Sequence, residues 1–354
     1  MKKTKVSIIG GSGFLAAELL RHLLARDDTE ILRISSKDRI GENIGAVNRS
    51  LWGQSDLVLQ DISPTECAAG ADIVFLAMPH VITARVAVEL FETDVRIIDL
   101  SGDFRLEKLS DYTRYYAPEH PCPERLGTFV YGMPELNEEA IRSAQYLANP
   151  GCFATCIGTP LMPLAKLGLI DDCTLSVVAM TGSSGSGVHA QAGNHHTIRS
   201  NNVKTYKVFD HQHTPEILQT LHAGGAKNPR LDFVPVSAPL PRGMMSITQL
   251  SLETAMRRGS LTDRESLLDE YRSFFAAYPL VSVLDQGLTP EVVAVKNTAR
   301  LEIGLEISED EKRLCVTAAL DNLIKGGAGQ AIQNYNLMIG KPGDYGLNAP
   351  GIWP

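Results

Sequence analysis

The feature that most limits what this chain can fold into lies near its start, where Gly10-Gly11-Ser12-Gly13-Phe14-Leu15-Ala16 interrupts two regular patterns. A short β-branched run, Lys5 to Ile9, precedes it, and Ala16 to Leu24 follows with apolar residues at helical spacing. Strand, glycine turn and helix in that order fit the G-x-x-G-x-x-G/A form of the nucleotide fingerprint, with Ala16 in the last place. Glycines let the main chain approach a pyrophosphate, and a helix N-terminus offers open N–H donors at the positive end of its dipole. Gly10, Ser12, Gly13, Phe14 and Leu15 are therefore candidate nucleotide contacts. A tight turn without a ligand is the plainer reading, against which the flanking strand and helix argue.

Further strands are expected at 30–34, 71–77 and 95–100, with a helix over 81–92 between the last two. Strands alternating with helices imply a mostly parallel sheet. From about residue 150 the pattern changes to a helix at 153–167, strands at 174–180, 231–239, 244–253 and 312–321, and a helix near 261–277. Such runs of strands suggest an antiparallel sheet. A glycine-rich bend at 324–329 leads into a final helix at 330–338 and a Pro/Gly-rich tail over 340–354. With 354 residues, two domains are expected: a dinucleotide-binding domain over 1–150, completed by 327–354, and a catalytic and oligomerisation domain over 151–326.

Where an NAD-preferring fold places an acid about 20 residues beyond the turn to hold the ribose 2′-hydroxyl, Ser35, Ser36, Lys37 and Arg39 draw the eye here. Hydroxyls followed by cations suit a 2′-phosphate, which favours NADP over NAD; a solvated loop with ordinary charges is the other reading.

A net charge of −8 and a pI near 5.6 argue against a general nucleic-acid binder, which needs a basic footprint. No apolar stretch reaches the ~20 uninterrupted residues of a spanning helix. Nor does the basic start lead into a signal-peptide core. Six cysteines without a C-x-x-C pair speak for a reducing compartment rather than a disulfide framework. Among them Cys152 stands out, because Asn149-Pro150-Gly151-Cys152 sets it at the opening of a helix, where the dipole favours a thiolate. The other five read as small buried apolar residues. His211 and His213 form an H-x-H pair that suits metal ligation or acid/base work, but nothing near them in sequence completes a zinc set.

Taken together, Gly10 to Ala16, Ser101-Gly102-Asp103-Phe104-Arg105, Tyr131 to Leu136, Asn149 to Thr155, His211 to Ile217 and Asp321 to Gly326, running on to Gln330 and Asn334, resemble the N-acetyl-γ-glutamyl-phosphate reductases of arginine synthesis, relatives of aspartate-semialdehyde dehydrogenase. The resemblance covers nearly the whole chain. It implies an α/β protein with an NADP-binding Rossmann domain and an α+β catalytic domain of the semialdehyde dehydrogenase type. It also implies Cys152 as nucleophile and an acid/base in the His211-Gln212-His213 block, with His211 preferred over His213. Arg105 and Asn149 resemble residues that hold the substrate phosphate, although an ion pair of Arg105 with Asp99 or Asp103 is the structural alternative. Gly182 and Ser183, in Thr181 to Gly187, resemble a Ser-Gly turn beside the nicotinamide, whose successive amides suit an anion or oxyanion. Asn334 resembles a final-helix residue that returns to the cofactor.

One block departs from the family. Many members follow that turn with Gly-Ala-Gly-Arg, whereas this chain has Ser186-Gly187-Val188-His189 and then Asn194-His195-His196-Thr197-Ile198-Arg199. This stretch is more similar to the branch that reduces aminoadipyl phosphate on an acidic carrier protein in lysine synthesis. His196 and Arg199, with His195, become candidate contacts for a substrate carboxylate, a plain polar loop being the alternative. The expected activity is NADPH-dependent reduction of N-acetyl-γ-glutamyl phosphate through a Cys152 thioester, by a cytoplasmic homo-oligomer, dimer or tetramer, with no nucleic-acid, membrane or metal partner. The rivals are a carrier-linked acyl phosphate, aspartate-semialdehyde dehydrogenase activity, and a non-catalytic NADP-sensing protein.

Overall fold

A computed structural model describes residues 3–252 and 264–353. The chain divides into two compact units, Met1–Gly151 with Gly327–Leu347, and Cys152–Gly326 with Asn348–Pro354. Whereas the sequence pattern assigns all of 327–354 to the first domain, the stretch from Asn348 clusters with the second unit, where Trp353 Nε1 donates to Glu291 Oε2 at 2.9 Å.

The first unit is built on six strands: β1 (Thr4–Ile9), β2 (Thr29–Ser35), β3 (Ile73–Leu76), β4 (Arg96–Asp99), β5 (Val130–Tyr131) and β6 (Tyr146–Ala148). Their order is β2-β1-β3-β4-β6-β5, and every pairing among them is parallel. Crossover helices cover such a sheet, which is why Ile73–Leu76 is apolar and buried at every position. Helix Phe14–Leu24 turns Ala16, Leu19, Leu20 and Leu23 inward.

Helix Gly329–Met338 of this unit is buried along its whole length although four of its residues are amides. Buried amides must be hydrogen-bonded. Asn336 Nδ2 donates to the carbonyls of Gly343 and Tyr345, both at 2.9 Å, while its Oδ1 accepts from Arg26 at 2.8 Å. Asn334 Nδ2 donates to Gly132 O at 2.8 Å and Asn149 Oδ1 at 3.0 Å, and Gln330 Nε2 reaches Gly132 O at 3.2 Å. Gly132 permits this approach, for a Cβ there would lie 2.5 Å from Asn334 Nδ2.

The second unit carries β7 (Thr174–Thr181), β8 (Lys204–Thr205), β9 (Arg230–Ser237), β10 (Met244–Ser251), β11 (Val281–Val283), β12 (Leu301–Ile307) and β13 (Arg313–Leu320). Their order is β11-β12-β13-β10-β7-β9-β8. The expectation of an antiparallel sheet is corrected: β7 with β9 and β11 with β12 pair in parallel, so the sheet is mixed. The β7–β9 pairing is parallel because the segment between them carries helix Thr214–Ala223 as a crossover. Of the helix expected over 261–277, residues 261–263 lie outside the described residues, as does residue 253 of the strand expected over 244–253; the observed helix is Arg264–Phe275.

Helix Cys152–Lys166 is the centre of this unit's core, buried from Phe153 to Ala165. It contains Pro160, whose missing N–H leaves the carbonyl of Cys156 without its helical donor. Ser246 Oγ fills that place at 2.9 Å. Gly158 lets helix Thr214–Ala223 come close, a Cβ there meeting Thr220 Cγ2 at 3.1 Å.

Candidate active site

In the first unit the glycine turn is shaped by three contacts. The amides of Gly10 and Gly11 both donate to Ser35 O, at 2.9 and 3.0 Å, which ties the turn to the end of β2. Gly10 has φ +97°, and a Cβ there would lie 2.7 Å from Ala77 O; a Cβ on Gly11 would lie 2.1 Å from Ile34 Cγ2. Gly13 is different: a Cβ there meets nothing within 4 Å, so its backbone faces open space. Phe14 and Leu15 open a helix with no acid in its first turn and no side-chain cap, as a pyrophosphate site requires. The residues present fit a dinucleotide. Replacing Gly10 by Ala combines left-handed strain with a main-chain clash, and we expect it to destabilise the unit by about 1–3 kcal/mol and to abolish nucleotide binding, as denaturant melts and NADPH fluorescence titration would report.

Beyond β2, Arg39 has φ +57° and pairs with Glu42, its Nη2 lying 2.7 Å from Oε2. Lys37 pairs with Asp61 at 2.7 Å. Ser36 Oγ donates to Asp38 Oδ1 at 2.6 Å, and Ser12 Oγ, from the glycine turn, donates to the same oxygen at 2.6 Å. Asp38 went unnoticed in the sequence because it sits between two cations; its signal was its distance from the turn.

Also in this unit, Arg105 Nε donates to Asn149 O at 2.7 Å and its Nη2 to Leu100 O at 2.9 Å, so the guanidinium joins the loops after β4 and β6. Asp103 caps helix Ile82–Leu90, accepting the amides of Val81 and Ala84 at 2.8 Å each. Burial, reinforced by Asp103, pushes the Asp99 carboxyl up to about 7. Asn149 joins the same cluster: its Nδ2 donates to Gly327 O at 3.1 Å while its Oδ1 accepts from Asn334. Asn334 Oδ1 and Gln330 Oε1 are buried and have no hydrogen-bond partner among the described residues. Orphaned acceptors of this kind suit an amide-bearing ligand.

In the second unit Cys152 is the first residue of its helix, where the dipole stabilises an anionic sulfur. Gly326 backs it, since a Cβ on that glycine would lie 2.8 Å from Cys152 Cβ. Burial raises the thiols of Cys67, Cys122, Cys156, Cys173 and Cys315, that of Cys156 to about 12. None of the six cysteines, all of them among the described residues, forms a disulfide.

His211 is 4% exposed, and its ring packs edge-on against Phe153, Phe233 and His213. Burial, with Lys207 adding to it, lowers its imidazole to about 3. The ring is therefore neutral near pH 7. Its Nδ1 accepts the main-chain N–H of His213 at 3.1 Å, so in the neutral ring the proton belongs on Nε2.

Tyr206, which sequence reasoning missed, packs edge-on to His211 with centroids 5.7 Å apart and lies within electrostatic reach of Cys152 and Arg199. Its hydroxyl is held protonated, chiefly by burial. Nothing in sequence separates it from a core aromatic. Arg199 Nη2 donates to Thr181 O at 3.0 Å, and its Nε has no partner among the described residues. His196 is exposed in the four-residue helix His196–Arg199. The expectation that the Ser-Gly turn offers successive amides to an anion is corrected: the amides of Gly182, Ser183 and Ser184 donate to the carbonyls of Gly243, Leu240 and Pro241. Among the described residues no group of three or more His, Cys, Asp or Glu is placed to hold a metal, and no helix is long and apolar enough to cross a membrane.

Residues 5–144 match the family model described as semialdehyde dehydrogenase, NAD binding domain, and residues 152–322 the one described as semialdehyde dehydrogenase, dimerisation domain. The chain is 37% identical over 350 residues to the N-acetyl-γ-glutamyl-phosphate reductase of Pelotomaculum thermopropionicum, covering 99% of each. It is 35% identical over 350 residues, again 99% of each, to that of Moorella thermoacetica. Among solved structures, the aspartate semialdehyde dehydrogenase II of Vibrio cholerae complexed with ASA aligns with a TM-score of 0.72 at 16% identity, over 96% of this chain and 99% of that one. The Candida albicans aspartate semialdehyde dehydrogenase with NADP aligns at 0.69 and 14% identity, over 96% and 99%. At such identities the likeness is one of fold.

Proposed function

We propose that this chain, which belongs to the N-acetyl-γ-glutamyl-phosphate reductase family of semialdehyde dehydrogenases, reduces N-acetyl-γ-glutamyl phosphate to the semialdehyde and phosphate with NADPH, in arginine synthesis, through a thioester on Cys152. The observation that carries this reading is Cys152 at the first position of a buried helix in the same unit as Tyr206, whose ring packs edge-on against a neutral His211. A protein that merely senses a nucleotide has no need of such an arrangement.

The thiolate sulfur of Cys152 attacks the acyl carbon; a C–S bond forms, the bond between the acyl carbon and the bridging oxygen of the phosphate breaks, and phosphate departs with the electron pair and takes a proton from solvent. With Nδ1 occupied by the His213 amide, His211 enters as an Nε2–H donor. Together with the Tyr206 hydroxyl it stabilises the oxyanion of the tetrahedral intermediate. Arg105 and Asn149 serve the phosphate end of the substrate, and Arg199, with its Nε lacking a partner among the described residues, takes the α-carboxylate, His196 standing by in the adjacent exposed helix. Gly10, Ser12, Gly13, Phe14 and Leu15 hold the pyrophosphate, Ser35, Ser36 and Arg39 lie toward the adenosine, and Gly182, Ser183 and Asn334 serve the nicotinamide. The chemistry that NADPH supplies when bound is hydride for the thioester carbonyl. Return of the thiolate of Cys152 as the C–S bond breaks completes the cycle.

The chain acts as a cytoplasmic homo-oligomer, dimer or tetramer, through the face of the second sheet on which Thr174, Ser176 and Val178 are exposed. The test is phosphate-dependent reduction of NADP by the purified protein with N-acetylglutamate semialdehyde, and in a second arm with carrier-linked aminoadipate semialdehyde. Turnover of the free substrate is expected; turnover of the linked one alone would replace the acyl group in this reading.

A further inference from the structure

Three cationic or hydroxyl-bearing side chains beyond β2 were expected to greet a 2′-phosphate, yet each is already engaged. Lys37 faces Asp61, Arg39 faces Glu42, and Ser36 donates to Asp38. Counted together, Lys37 and Arg39 are outweighed by Asp38, Glu42 and Asp61, so the neighbourhood is not a cationic pocket. What sits against the turn itself is a carboxylate: Asp38 Oδ1 accepts from Ser12 Oγ and Ser36 Oγ, each at 2.6 Å. Ser12 belongs to the turn whose Gly10 and Gly11 amides are anchored on Ser35 O, so the two serines fix the carboxylate at the carboxyl end of β2, beside the phosphate-binding loop. In a parallel α/β sheet that is where an acid reads the adenosine ribose, accepting from its hydroxyls and opposing a phosphate on the 2′ oxygen.

We propose that Asp38 is a specificity-determining residue of the nucleotide site, accepting from the ribose 2′-hydroxyl of NAD and opposing the 2′-phosphate of NADP, so that the chain prefers NADP by less than its serines and cations alone would give. The inference rests on the dinucleotide reading of the turn. Lys37 and Arg39, although paired with Asp61 and Glu42, place positive charge beside the site, and Asp38 works against it. The serine hydroxyls orient the carboxylate; its charge does the discriminating.

The experiment is calorimetric titration of the full-length protein and of Asp38→Asn with NADPH, NADH, AMP and adenosine 2′,5′-bisphosphate. Removing a like charge from a phosphate contact is expected to tighten NADPH and the bisphosphate by about tenfold and to weaken NADH and AMP by roughly threefold. The gain should shrink in 0.5 M salt, where exposed charges are screened within ~4–5 Å. Asp38 is exposed, so the variant should keep the parent's melting temperature; Asp38→Ser, which also removes the charge, should repeat the shift. Equal changes for phosphorylated and unphosphorylated nucleotides, or none, would overturn the role of Asp38 alone. Failure of the parent protein to bind any of the four would overturn the nucleotide reading with it.

Discussion

Cys152→Ser is expected to lower the reductase rate by about 10⁴-fold or more while leaving NADPH affinity and melting temperature within error. The sulfur opens a helix whose next thirteen residues are buried, and the glycine turn is held by the donation of the Gly10 and Gly11 amides to Ser35 O. Serine is smaller and its hydroxyl does not ionise near neutrality, so the variant keeps the packing and loses the nucleophile. The alternative thiols offer no rescue, because Cys156, the nearest in sequence, is fully buried and its thiol stands at about 12. Two readings check this: steady-state rates in both directions, and mass spectrometry of protein treated with iodoacetamide, which should add one label, at Cys152, and none to the variant at that position. Full activity in Cys152→Ser would remove the thioester from the mechanism.

The local signals that were legible in the sequence are those in which a few adjacent residues carry the physics. Lys5 to Leu24 could be read as strand, turn and helix because β-branching, glycine and helical spacing follow one another without interruption. Helix Cys152–Lys166 could be read despite two prolines, since its apolar character is continuous; that Ser246 would take over the carbonyl freed by Pro160 could not, because the partner lies 90 residues away in sequence. Strand β12 was missed because Gly304 breaks its pattern, and only the packing explains that glycine: a Cβ would meet Thr317 Oγ1 at 2.8 Å. Helices Pro134–Ser143 and Thr214–Ala223 begin with proline in the first turn, which reads as a breaker in sequence and as a favourable start in space. The parallel β7–β9 pair is likewise a matter of topology rather than of local pattern. At the site, Cys152 and His211 announce themselves through their chemistry. Tyr206 and Asp38 do not, since each acquires meaning only from neighbours that the fold supplies.

His211→Asn is expected to cost about 10²–10⁴-fold in kcat and to remove part of the protein's sensitivity to acid. Asn is the informative replacement, because its side-chain oxygen can take over from Nδ1 as acceptor of the His213 amide while no group replaces Nε2–H. The sign of the pH effect follows from the imidazole, which is lowered from 6.5 to about 3 by burial first and by Lys207 second. Below pH 6.5 the unfolded chain takes up a proton that the folded one refuses, so the stability contributed above 6.5 is lost progressively as pH falls toward 3. Each pH unit in that window is worth up to about 1.4 kcal/mol. Asp99 acts in the opposite sense: its carboxyl, raised from 3.8 to about 7, binds a proton in the folded state first and gains stability as pH falls from 7 toward 3.8. The parent's pH profile alone therefore mixes two contributions of opposite sign, whereas the difference between parent and variant cancels that of Asp99. Urea midpoints at pH 7.5 and pH 4.5 measure it: the variant should lose less stability between the two than the parent, by roughly 2 kcal/mol. Parallel losses in the two proteins would mean that His211 is accessible to protons in the folded state, and with it the Nε2–H donor role would fall.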